Sequence, residues 1–129
     1  MEELTIGQFI ISKRTERNIS LRAFAKKIDI SPVYLCNIEK GRRPLTSTEI
    51  LDKITNVFLL DKAEKTLLLD LAAKSKDIPI VASDLPAYIN ENDIVRVALR
   101  TAKDIDATDE EWQEFIDKLE SRKRKTNGG

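Results

Sequence analysis

The chain contains no histidine and a single cysteine, Cys36, among its 129 residues. Histidine is the commonest general base and metal ligand, so its absence removes the usual centre of acid–base and zinc chemistry. One cysteine cannot form an intrachain disulfide, which suits a reducing compartment. The sequence also shows no glycine-rich phosphate loop and no nucleophile–base pair. We therefore expect a cytoplasmic protein that is not an enzyme and has no metal and no cofactor.

Long apolar runs are missing as well. Runs such as residues 57–60 and 67–69 are only a few residues long, whereas a membrane span needs about 20 consecutive apolar residues. Residues 1–4 lack the basic and apolar regions of a signal peptide. We expect no membrane segment.

Charge is balanced in total but unevenly distributed. Residues 1–60 carry ten basic and seven acidic side chains, a net +3, and residues 61–129 carry twelve and fifteen, a net −3. This asymmetry has the sign expected if the first half contacts phosphates. Many solvated protein surfaces have a similar excess, so the charge alone does not predict nucleic-acid binding.

Helix signals recur along the chain. Five residues whose side chains can cap a helix N-terminus precede runs with helical spacing of apolar residues. Pro32 stands at the first position of the third run and Gly41 just beyond its end, where each favours a helix boundary. The predicted caps are Thr5, Ser20, Ser31, Ser47 and Asp61.

The pattern divides the chain into segments. Five helices are predicted in residues 1–74, and the pattern breaks at residues 75–83, a linker or an extended segment packed on the first domain. Helical spacing returns in residues 84–125, and residues 126–129 are predicted to be a disordered tail. The sequence thus predicts an all-α protein.

Residues 20–41 have the spacing of two short helices joined by a turn of three to four residues, which is typical of a helix-turn-helix. The first of these helices must support the second at a steep angle. Phe24 and Ala25 are therefore expected to pack near Leu35 and Ile38. The second helix would then present its outward residues to a DNA major groove.

The same stretch resembles the Cro/repressor-type (XRE) helix-turn-helix domain. Residues 34–44 (YLCNIEKGRRP) are similar to the family pattern YLS-x-IE-x-G-x-R-x-P, one residue shorter before the proline. The resemblance covers about residues 5–60 and implies a five-helix lambda-repressor-like DNA-binding domain followed by a small helical C-terminal segment. Leu21 stands where the family usually has Gln, so Arg22 would substitute for that contact.

The resemblance also implies which side chains would face DNA. Asn37 would read an adenine and Val33 would contact a thymine methyl group; the alternative for Asn37 is a solvent-exposed side chain without a contact. The residues predicted to read bases are Pro32, Val33, Asn37 and Arg22. The residues predicted to bind phosphates are Ser31, Tyr34, Lys40, Arg42 and Arg43.

Several of these residues have simpler interpretations. Ser31 can serve only as a helix cap, and Tyr34 can pack on the preceding helix instead of binding a phosphate. Glu39 is predicted to be structural, tying the loop to a neighbouring basic side chain. Cys36 is interpreted as a small helix residue rather than a redox sensor, because a free thiol is usually inert unless its thiolate is stabilised.

The last helix has an apolar face that must be buried against another surface, because a segment of about forty residues seldom forms a stable core by itself. Either the first domain or a second copy of the chain can supply it, and we expect residues 84–121 to contribute to a homodimer interface or to bind another protein partner. The residues of this dimer or partner face are Trp112, Phe115, Ile116 and Leu119.

Together these patterns predict a dimeric repressor that reads a palindromic operator in double-stranded DNA. The alternative is an antitoxin that binds a toxin through its C-terminal region and regulates its own operon. A module that only binds proteins remains a further alternative.

Overall fold

The computed structural model describes residues 4–76 and 80–128. All regular elements in these ranges are helices, which confirms the all-α prediction, and the chain divides into two compact units, residues 1–87 and 88–129. The helices are α1 (Ile6–Glu16), α2 (Leu21–Lys27), α3 (Pro32–Glu39), α4 (Thr48–Phe58), α5 (Lys62–Lys74), α6 (Pro86–Glu91), α7 (Asp93–Asp104) and α8 (Asp109–Gly128).

All five predicted caps form in the first unit. Each side-chain oxygen accepts a hydrogen bond from the backbone N–H three residues further along, at distances of 2.8–3.3 Å. Thr5 and Asp61 also form capping boxes with Gln8 and Glu64. These bonds satisfy N–H groups that have no partner within the helix, so local sequence determines where α1 to α5 begin.

The first unit encloses a single apolar core. Phe24 of α2 and Phe58 of α4 lie at its centre, with ring centroids 4.5 Å apart and planes 5° from parallel. Ala82 is 6% exposed and belongs to the same core. It favours the interpretation of residues 75–83 as a segment packed on the first domain, although residues 77–79 lie outside the described part. The most deeply buried side chains are Phe24, Phe58, Ile10, Ile28, Leu35, Ile38, Leu45, Leu51, Ile54 and Leu68.

The second unit consists of the end of α6, α7 and α8. A capping box forms at the start of the last helix, because Thr108 Oγ1 accepts from the backbone N–H of Glu111 and the Glu111 carboxylate accepts from that of Thr108, both at 3.1 Å. The helix α8 continues to Gly128, into the segment for which the sequence predicts disorder. No proline interrupts its run of Lys and Arg side chains, which favour helix.

None of the described side chains from residue 88 onward belongs to a buried core. Within the described ranges, no helix has the length and apolar character that crossing a membrane requires.

Candidate nucleic-acid interface

The helices α2 and α3 are joined by a short turn, and their inner faces lie in the core. Phe24 and Ala25 of α2 and Leu35 and Ile38 of α3 are all fully buried in one cluster, as predicted. Because one face of α3 is thus held, its opposite face is presented to solvent. Val33, on that outer face, is 71% exposed.

The outer face of α3 borders an open groove. Five of the predicted site residues line it together: Ser31, Val33, Tyr34, Asn37 and Arg43. The groove therefore brings together residues predicted to read bases with residues predicted to bind phosphates.

The other predicted site residues are not among those that line this groove. Pro32 is exposed at the first position of α3, and Arg22 is exposed in the first turn of α2. Lys40 and Arg42 are exposed just after α3. Leu21 is half-buried against the core, so the exposed polar side chain at the start of α2 is that of Arg22.

Two groove residues also have structural roles. The Ser31 hydroxyl caps α3 by accepting from the Tyr34 backbone N–H at 3.0 Å, which leaves its own hydrogen free to be donated. Tyr34 is half-buried and packs against the core. Both features agree with the simpler interpretations, but neither prevents a hydroxyl from reaching a phosphate.

The end of α3 has a Schellman geometry. Gly41 has φ +77°, a conformation that favours glycine; its N–H donates to the Ile38 carbonyl at 3.1 Å, and that of Arg42 donates to the Asn37 carbonyl at 2.8 Å. The two hydrogen bonds fix the path of the backbone that carries Arg42 and Arg43.

Glu39 has the structural role that the sequence predicts. Its carboxylate accepts two hydrogen bonds from Arg14 of α1, from Nε at 3.0 Å and from a terminal guanidinium nitrogen at 2.9 Å. The Glu39 side chain is 5% exposed, and Arg14 also donates to the Ile19 carbonyl. This paired contact holds α3 against α1 and neutralises the acidic group nearest to Lys40 and Arg42 in sequence.

Gly7 of α1 allows this close approach. A Cβ atom at this position would lie 2.3 Å from the backbone oxygen of Glu39, a distance that real contacts do not reach. The helices α1 and α3 can therefore meet only with glycine here. A lone glycine in a helical pattern is the single sequence signal for this contact, and it does not identify the partner.

Sequence reasoning missed three further groove residues, Pro44, Thr46 and Lys76. It also missed Ser75, whose hydroxyl accepts from the Leu45 backbone N–H at 3.1 Å and donates to the Ala72 carbonyl at 2.6 Å. This hydroxyl fastens the loop after α3 to the end of α5. The contact spans 30 residues, so no local pattern could reveal it.

Comparison with known proteins agrees with this geometry. The helix-turn-helix family model matches residues 10–64. The matched segment contains α2 and α3, the two helices joined by the short turn. The chain is 41% identical over 58 residues to the HTH-type transcriptional regulator RamB in two strains of Mycobacterium tuberculosis, CDC 1551 / Oshkosh and ATCC 25618 / H37Rv. The match covers 45% of this chain, which spans only 12% of the length of these curated relatives.

Among solved structures, the SinR protein/SinI protein complex matches 92% of this chain and 98% of the other, with 25% identity and a TM-score of 0.47. The segment matched by the helix-turn-helix family model includes the groove residues from Ser31 to Thr46, whereas Ser75 and Lys76 lie beyond it.

Proposed function

We propose that this protein is a sequence-specific DNA-binding transcriptional regulator, a dimeric repressor that reads a palindromic operator through the major groove and catalyses no reaction. The observation that carries the proposal is the groove along the outer face of α3. It places Val33 and Asn37 beside Ser31 and Arg43, while the inner face of the same helix is buried. A helix exposed in this way has the geometry that a major groove admits.

In this proposal, α3 enters the major groove and Asn37 reads one base pair. Its amide can donate to N7 and accept from the N6 amino group of an adenine, and Val33 can contact a thymine methyl group. Pro32 and Arg22 would lie at the edge of this contact. The residues proposed to position the helix through phosphates are Ser31, Tyr34, Lys40, Arg42 and Arg43.

The dimer in this proposal is supported by the second unit. Phe115 is 52% exposed, and Ile116 and Leu119 are each 44% exposed. Trp112 precedes these residues at helical spacing in α8 and is half-buried. A second copy that covers this face would place two recognition helices on two half-sites of a palindrome.

The proposal is tested by selecting duplexes from a random pool and measuring binding to the selected DNA. Asn37→Ala should weaken binding to the selected duplex by about 1–3 kcal/mol and relax the preference at one base pair per half-site. Arg42→Ala should weaken selected and random duplexes alike. Lys62→Gln, an exposed change at the start of α5, is the control. If both variants bind like the wild type, the proposed docking is wrong.

An antitoxin remains a second candidate, since the exposed apolar face of α8 would equally suit a different protein. Sedimentation of the full chain separates the two. A repressor that dimerises through this face should dissociate when Phe115 is replaced by Asp. A stable monomer that is encoded beside a small toxin gene, and that captures the purified toxin, would favour the antitoxin.

A further inference from the structure

Lys76 lies outside the helix-turn-helix domain but lines the same groove as Asn37 and Arg43. It follows α5 by two residues and is exposed. A lysine in a chain segment after the last helix of a domain would ordinarily be one more solvated charge. In this fold it instead lines the groove beside α3.

The backbone that carries Lys76 is held in place. The preceding residue, Ser75, bonds both the Leu45 N–H and the Ala72 carbonyl through its hydroxyl. Leu45 is fully buried, and Ala72 is 2% exposed. Two anchors in the core thus fix the point from which the Lys76 side chain extends.

The charge around this part of the groove favours an anion. Arg43 also lines it, and Lys40 and Arg42 are exposed on the adjoining turn. The carboxylate of Glu39, which precedes Lys40 in the sequence, already accepts two hydrogen bonds from Arg14. A strongly hydrated ammonium on a flexible stem suits a phosphate rather than a base edge.

We infer that Lys76 is a phosphate-binding residue of the DNA interface, held in position by Ser75, so that the interface extends past α5 and beyond the helix-turn-helix domain. This inference rests on the proposed function, because it adds a contact to the same groove. Lys76 contributes affinity without sequence preference, while Asn37 supplies the preference.

Fluorescence anisotropy over a series of KCl concentrations tests this inference, with a selected duplex and a random duplex as probes. Lys76→Gln should weaken binding to both duplexes about 3- to 10-fold, which corresponds to the net contribution of a typical hydrogen bond. The slope of log K against log salt should become shallower by about 0.9 for each Lys76 in the complex. Lys76→Glu should weaken binding further, because it adds repulsion.

The matched control is Lys62→Gln, which removes one charge at the other end of α5, about 18 Å from Lys74 at a rise of 1.5 Å per residue. This control should change neither the affinity nor the slope. A Lys76→Gln variant that matches Lys62→Gln on both duplexes, while Arg42→Ala is impaired, would overturn this inference but leave the proposed function intact. If the wild type binds neither duplex, both proposals fail.

Ser75 is a positioning residue, and its role has its own measurement. Ser75→Ala should make the salt slope shallower by nearly as much as Lys76→Gln, and Ser75→Thr, which keeps the hydroxyl, should restore it. A Ser75→Ala variant that loses thermal stability but keeps the wild-type slope would show that the hydroxyl serves only the fold, and this would contradict the positioning role.

Discussion

The two units contain the same kinds of local helix signal, but their apolar side chains are buried in the first unit and exposed in the second. In residues 1–87, capped amphipathic helices bury their apolar faces against one another, and Phe24 and Phe58 are 0% and 1% exposed. In residues 88–129, helices with equally clear apolar spacing leave Ile94 76% and Phe115 52% exposed. Helix-forming signals therefore do not by themselves produce a core.

The difference follows from the number of elements. Five helices can surround a common interior, whereas two helices and part of a third have too little surface to enclose one.

The ion pairs of the two units also differ in how far they are buried. Arg14 and Glu39 join α1 to α3 and are largely buried, while Arg96 pairs with Asp93 within α7, and Asp93 is 91% exposed.

The largest predicted effect compares one phenylalanine from each unit. Phe58→Ala should lower the free energy of unfolding by about 3–5 kcal/mol, because it leaves a cavity beside Phe24 and below the Arg17 guanidinium. Phe115→Ala should lower the free energy of unfolding of the monomeric chain by far less, because about half of the Phe115 side chain is already exposed to water. Urea unfolding followed by circular dichroism measures both. Equal losses in the two variants would contradict the comparison.

The next effect compares the two ion pairs. Glu39→Ala should cost about 3 kcal/mol, since it leaves the Arg14 guanidinium largely buried without its partner. Asp93→Ala, which breaks an exposed pair three residues apart, should change the free energy by less than about 1 kcal/mol. A double-mutant cycle of Arg14 and Glu39 should give a clear coupling energy. A coupling near zero would show that the pair does not hold α3 against α1.

A smaller effect is expected at two residues with positive φ, one in each unit. Leu59 has φ +53° and is 86% exposed, so Leu59→Gly should stabilise the protein by about 1 kcal/mol while losing little buried surface. Asp106 has φ +52°, a conformation that Asp tolerates better than Leu, so Asp106→Gly should change stability less. Thermal unfolding compares the two. If Leu59→Gly destabilises the protein, the left-handed backbone conformation at Leu59 does not carry the expected strain.

The smallest effect is a pH dependence that arises from one ion pair of the first unit. The hydrogen bond from Lys13 of α1, followed by that from the Asp61 backbone, lowers the pKa of Glu64 below its usual 4.5. Because the folded-state pKa is the lower one, the contribution of Glu64 to stability is complete above pH 4.5 and is lost as the pH falls through the lowered value.

Glu64→Gln and Lys13→Gln should therefore have lower melting temperatures than the wild type near pH 7 and approach it in acid. Melting temperatures between pH 7 and pH 3 measure this. If the difference in melting temperature between variant and wild type stays constant from pH 7 to pH 3, the Lys13–Glu64 pair is not its source.

Much of the first unit was predictable from sequence, because caps and helix spacing act over three or four residues. Ser31, Pro32 and Gly41 mark both ends of α3, and the structure confirms all three roles. The anchoring role of Ser75 and the place of Lys76 in the groove were not predictable. Their position depends on Leu45, thirty residues earlier, and pairings over such separations leave no periodic trace in the sequence.

The sequence by itself determined where α1 to α5 start, where α3 ends and which face of α3 is apolar, since backbone hydrogen bonding and side-chain spacing are local. Tertiary structure alone decided that Gly7 lets α1 meet α3, that Arg14 engages Glu39, and that Lys76 joins the groove. It also decided that the apolar face of the second unit stays exposed. The physical reason is that packing depends on what the rest of the chain brings alongside each helix, and for α7 and α8 the described chain brings too little to close a core.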